Sequence, residues 1–115
     1  MVMKIINKPI TVSELNKFAK QRFGNLVKAV VDVEKEIMAI DGELHADEEA
    51  LLLEKGSRQE SLWGINLYPE LEGSDFIEFD SMINLRPSVK NMTRGIDNPK
   101  RRKKIIKMVN KLVKK

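Results

Sequence analysis

Few residues in this chain could carry chemistry. His45 is its only histidine, and it has no cysteine. Any imidazole proton transfer must therefore run through His45. Thiol nucleophiles, disulfides and Cys-ligated zinc are excluded. One histidine leaves too few ligands for an ordinary zinc site, and Asp32, Glu34, Glu78 and Asp80 lack the spacing of a magnesium loop. No metal and no cofactor are expected. His45 falls where a strand hands over to a helix, and Asp47 and Glu48 are near enough in sequence to orient it.

The other recognition groups lie in two alternating stretches. Trp63, Ile65 and Leu67 alternate with Gly64, Asn66 and Tyr68; further on, Asn84 and Arg86 share one parity with Glu78 and Asp80. Asparagine is a poor strand former, so Asn66 and Asn84 stand out. Amides donate and accept hydrogen bonds, and arginine forks onto phosphate or carboxylate. If the two stretches pair, Asn66, Tyr68, Asn84 and Arg86 gather on one sheet face. Arg58 in Ser57-Arg58-Gln59 and Arg94 in Thr93-Arg94-Gly95 each stand beside a hydroxyl residue, a setting that suits an anion. The plain alternative is a solvated face with cross-strand pairs such as Glu78 with Arg86, and loops that are only turns. No phosphate-binding glycine loop and no G-x-S-x-G elbow is present.

The elements that must position these residues read as follows. Met3 to Ile6 is a short strand. Thr11-Val12-Ser13-Glu14 is a capping box, and Leu15, Phe18 and Ala19 follow at helical spacing, predicting a helix over 12–22. Leu26 to Glu34 alternates, with Val27, Ala29, Val31 and Val33 on one face and Lys28, Val30, Asp32 and Glu34 on the other. Lys35-Glu36 separates it from Ile37 to Ile40, giving either a hairpin or one bulged strand. Asp41-Gly42 marks a turn. A second helix is predicted over 46–55, with acids in its first turn. Ser61 to Tyr68 and Phe76 to Arg86 read as two strands, stopped by Pro87. Asn98-Pro99 opens the last helix. The implied fold is α+β: a mainly antiparallel sheet of four to five strands with about three helices packed on one face. A chain of 115 residues suits one unit, 1–115, with 98–115 a basic amphipathic C-terminal helix.

The charge is divided. Residues 100–115 carry nine Lys and Arg and no acid, whereas residues 1–99 hold 12 basic against 17 acidic side chains. Lys100, Arg101, Arg102, Lys103 and Lys104 open the last helix, so nucleic acid is one candidate partner. However, the apolar stripe Ile105, Met108, Val109 and Leu112 asks for burial, and the acidic body could supply a carboxylate for Arg101 and Arg102. No stretch reaches the roughly 18 apolar residues needed to span a bilayer. Met1 to Lys8 is too short and interrupted for a secretory signal. The default location is the cytoplasm.

The residues also carry a resemblance. Glu43-Leu44-His45-Ala46-Asp47, the run from Ser57-Arg58-Gln59 through Leu62 to Pro69, Phe79 to Pro87, and Thr93-Arg94-Gly95 are similar to a family of small bacterial and archaeal proteins known only as a domain of unknown function. The resemblance covers residues 30 to 97 and implies no activity. The residues themselves favour binding of an anionic ligand or a partner through the polar sheet face, using Arg58, Asn66, Tyr68, Asn84, Arg86 and Arg94. The alternatives are a hydrolase or nuclease acting on a phosphate ester with His45 as general base, and nucleic-acid binding through the basic helix.

Overall fold

The computed structural model describes residues 3–115; Met1 and Val2 of the expected unit lie outside the described residues. The order is β1 (Lys4–Ile6), β2 (Ile10–Thr11), α1 (Val12–Arg22), β3 (Val27–Asp32), β4 (Ile37–Ile40), α2 (His45–Glu54), β5 (Leu62–Leu67), β6 (Ile77–Glu78), α3 (Pro99–Leu112) and β7 (Val113–Lys114). Local chemistry explains the helix starts. The Glu14 amide donates to Thr11 Oγ1 at 3.0 Å, and the Thr11 amide donates back to Glu14 Oε1 at 3.2 Å. Asn98 Oδ1 accepts from the Lys100 and Arg101 amides ahead of Pro99.

Five strands form an antiparallel sheet in the order β1-β4-β3-β5-β6. The β3–β4 connection is a hairpin. Asp32 Oδ1 accepts from the Glu34 and Lys35 amides, and Glu36 takes a left-handed φ of 56°. The Asp32 carboxylate thus supplies the turn chemistry that Lys35-Glu36 lacks. The α+β class with three helices is as the sequence implies.

The helices divide between the two faces of the sheet. On one face Ala29, Val31, Met38, Ile40, Trp63 and Ile65 pack with Leu15 and Ala19 of α1 and with Ile105, Met108, Val109 and Leu112 of α3. On the other, Val30, Ala39 and Leu62 pack against Leu52 of α2. The expectation of helices on one face alone passed over Val30, an apolar residue between Lys28 and Asp32 that also needs cover. The last helix is shorter than 98–115. It stops at Leu112, and Val113–Lys114 pair in parallel with Ile10–Thr11, which buries Val113.

The largest departure is 76–86. Only Ile77–Glu78 forms a strand, pairing with Leu67 and Asn66. The chain then leaves the sheet plane and folds across Gly64, through a 3₁₀ turn at Met82–Asn84. Gly64 pairs with Val30 of β3 on one side, but on its outer side, beyond β6, it has no strand. Its N–H donates to Asn84 Oδ1 at 2.8 Å, and its carbonyl accepts from Asn84 Nδ2 at 2.9 Å. One side-chain amide stands in for the missing strand, so Asn84 serves the backbone and not the ligand face. Gly64 is needed for this approach, because a Cβ there would lie 2.5 Å from Ser81 Cβ.

Two variants test this account. Gly64→Ala should destabilise the protein by about 1–3 kcal/mol, and Ser81→Gly in the same chain should restore most of that. Asn84→Ala should cost at least about 2 kcal/mol, because two buried backbone groups lose their partners. Thermal melting followed by circular dichroism reads both effects; an unshifted melt for Gly64→Ala would contradict the packing.

Candidate functional site

The polar corner of the sheet is built from pairings. Register places Lys28 of β3 opposite Asn66 of β5, and Asn66 opposite Glu78 of β6. The start of α2 adds His45. Its Nε2 lies 2.8 Å from the Ile65 carbonyl oxygen. A carbonyl can only accept, so Nε2 carries the proton and Nδ1 keeps the lone pair of the neutral ring. The residue is 8% exposed. Burial is the main reason its pKa sits below the ordinary 6.5, and the Lys28 ammonium pushes the same way. The Ile65 carbonyl, Asp80 and the neighbouring Asn66 side chain oppose the shift. His45 is thus a neutral base of fixed tautomer at pH 7.

Asn66 Nδ2 donates to Glu78 Oε1 at 2.9 Å and to the Asp80 carbonyl at 3.4 Å. The Tyr68 hydroxyl donates to the same Glu78 oxygen at 2.9 Å. Burial and then Glu78 hold the Tyr68 phenol above its usual pKa, so it stays protonated. Asp80 pairs with Arg94 at 2.8 Å. Asn66 Oδ1 is buried and has no hydrogen-bond partner. The corner therefore presents one unanswered acceptor, a neutral imidazole beside it, two carboxylates and two cations.

His45, Asn66, Tyr68 and Arg94 of the expected set gather here; Arg58, Asn84 and Arg86 do not. Arg58 is an exposed residue paired with Glu60 at 2.6 Å and Glu34 at 3.6 Å. Asn84 holds Gly64. Arg86 forms an ion pair with Glu49 of α2 at 3.1 Å, not with Glu78, and donates to the Gln59 carbonyl. Lys28 was missed as a site residue. Its parity was readable, but its place opposite Asn66 depends on a register between strands more than thirty residues apart.

The basic helix is also divided. The Arg101 guanidinium lies over the Trp63 ring at 4.3 Å, with Arg86 over the same ring at 4.8 Å. Arg102 donates to the Ile96 and Asp97 carbonyls. An indole and two carbonyls, not carboxylates, offset the arginines near the helix N-terminus. Among the described residues no group of three or more His, Cys, Asp and Glu could hold a metal ion. No helix among them is long and apolar enough to cross a membrane.

A family model described as "Protein of unknown function (DUF5674)" matches residues 4–112. The chain belongs to this family. Neither a curated protein nor a solved structure matches it. Membership spans β1 to α3 and so includes the whole polar corner, but it brings no activity, and the chemistry must be argued from side chains.

One turn along α2 from His45 lies Glu48, fully buried. The Gly42 amide donates to its Oε2 at 2.9 Å, while Oε1 has no partner. A Cβ on Gly42 would lie 2.7 Å from Glu48 Cγ, so only glycine admits this side chain. Burial pushes its pKa up from 4.5 to about 9. Glu48 thus keeps its proton at pH 7, when the unfolded chain has lost it. Its contribution is complete below pH 4.5 and is lost as pH rises toward about 9, at about 1.4 kcal/mol per pH unit. His45 has the opposite sign: its depressed pKa costs stability only as pH falls below 6.5. Between pH 6.5 and 8, then, Glu48 alone of the two should lower stability. Urea unfolding in that window should show the decline in the parent protein and its absence in Glu48→Gln. Equal slopes in the two would mean that Glu48 is ionised in the fold.

Proposed function

We propose that the protein binds a small polar ligand at the His45–Asn66 corner, one that carries a hydrogen-bond donor beside an anionic group. The observation that carries this reading is Asn66 Oδ1, a buried acceptor without a partner next to a neutral imidazole. An unanswered buried acceptor costs about 1–3 kcal/mol, and a ligand N–H or O–H would recover it. The donor would enter past Tyr68 and Glu78, which reach solvent. Lys28 supports the anionic half. None of the ion pairs among the described residues involves it, and its ammonium lies 5.3 Å from the Phe23 ring centre. Arg94 is half exposed and shares its charge with Asp80. The anion would then rest on Lys28 and Arg94, since Arg58 and Arg86 are engaged elsewhere.

A second reading uses the same imidazole. A neutral histidine of fixed tautomer and lowered pKa suits a general base, and Lys28 could stabilise charge on a phosphate ester. Nucleic-acid binding through α3 would fall to Lys100, Lys103 and Lys104, because Arg101 and Arg102 are occupied within the fold.

Side-chain NMR of His45 and Asn66 tests the binding reading. Glycerate, phosphoserine and nucleoside monophosphates each place a hydroxyl near an anion. At least one should shift both signals, and Asn66→Ala and Lys28→Met should each weaken that binding about tenfold or more. Silence of both signals across the panel would sink the proposal. Turnover of p-nitrophenyl phosphate that disappears in His45→Asn would select the hydrolase.

A further inference from the structure

An open apolar groove of about 1050 Å³ lies between α3 and the loop joining β5 to β6. It is on the sheet face away from His45. Val12, Phe76, Ile77, Phe79, Ile106 and Val113 are among its lining residues. Leu71 and Ile106 at the groove are 48% and 39% exposed. A joined apolar surface of this kind marks an interaction site more often than a lone exposed leucine does.

The two walls carry opposite charge. Lys114 and Lys115 line one wall, and helical spacing sets Lys103 one turn before Ile106 on the same side of α3. Glu72 lines the other, with Asp75 just beyond it in the same loop. Among the described residues, none of these five takes part in an ion pair. An acidic peptide in the groove would meet Glu72 and Asp75, and a basic one would meet the lysines. A second copy turned by a two-fold axis meets neither difficulty. Each lysine wall then faces the partner's carboxylate wall, as an isologous contact requires.

We propose that this groove is the two-fold interface of a homodimer. Two further features fit. β6 ends the sheet, so its outer edge is unpaired, and such edges are ordinarily covered. A stable interface needs about 800 Å² from each copy. The exposed parts of Leu71 and Ile106 alone cannot supply that, so the charged walls must close with the floor.

Sedimentation equilibrium of the full chain should give twice the monomer mass of 13.2 kDa, with weaker association at high salt. Ile106→Lys and Leu71→Asp, both at solvent-exposed positions, should each give a monomer with unchanged circular dichroism. Lys114→Glu with Lys115→Glu should weaken the dimer at least about tenfold. Adding Glu72→Lys and Asp75→Lys to that chain exchanges the walls and should restore association. A monomer at all concentrations would overturn the proposal. So would a dimer indifferent to Ile106→Lys and Leu71→Asp, or a wall exchange that fails to restore it.

Discussion

The amide of Asn84 on the backbone of Gly64 is the contact on which the second face of this sheet depends. All six residues of β5 are buried, yet β6 pairs with only two of them. Beyond Asn66 the outer edge of β5 would be left with buried, unanswered N–H and C=O groups, at about 1–3 kcal/mol each. Asn84 answers both at Gly64, and its Nδ2 also donates to the Arg94 carbonyl at 2.9 Å. The Ser81 amide donates to that same carbonyl. Arg94 is thereby held at its backbone with its guanidinium on Asp80, and the Asp80 carbonyl accepts from Asn66. The polar corner therefore rests on a chain of hydrogen bonds that starts one pleat away, at a glycine.

A second asparagine extends the same scaffold. Asn91 Nδ2 donates to the carbonyls of Asn84, Thr93 and Gly95, and its Oδ1 accepts from the Asp97 amide. A segment of loop and short 3₁₀ turns is thus pinned from inside by two side-chain amides, each able to donate and accept at once. Arg86 closes its other end against Glu49, tying the loop to α2. Helix α2 brings two ionisable groups inward, His45 and Glu48, and burial holds both neutral. The cost falls on stability, and it leaves an imidazole lone pair and a carboxylic acid where charged side chains would be expected.

Much of the fold could be read locally. The Thr11–Glu14 box, the Asn98-Pro99 start and the alternation of β3 and β5 each depend on neighbours within a few residues, and each holds in the structure. The run 76–86 misled because alternating polarity over so few residues does not require a strand: the chain leaves the ladder after Glu78 and turns in a 3₁₀ helix at Met82–Asn84, whose repeat is three. Asn84 and Arg86 have the parity of ligand residues, but they are committed to Gly64 and Glu49, twenty and thirty-seven residues away. Nothing local announces such long-range partners. Gly64 was the available signal: a glycine inside a strand pattern marks a close approach by something else. Likewise, Val30 among polar neighbours indicated that the second face needed a helix.

The short strand β6 joins the two surfaces. Ile77 points into the apolar groove, and Glu78 points into the corner, where it accepts from both Asn66 and Tyr68. Successive residues of a strand face opposite sides, so two residues serve two unrelated surfaces with one backbone. In the ladder β6 pairs with Asn66 and Leu67, Tyr68 adds its amide to the Phe76 carbonyl and its hydroxyl to Glu78, and the flanking segments 68–76 and 79–97 are mostly loop and 3₁₀ turn. A partner closing over Ile77 would fix the strand whose next residue fixes Asn66 Nδ2, and with it the direction of the unpaired Oδ1. The physical link is the pairing of Ile77 and Glu78 with Leu67 and Asn66 at the edge of a sheet.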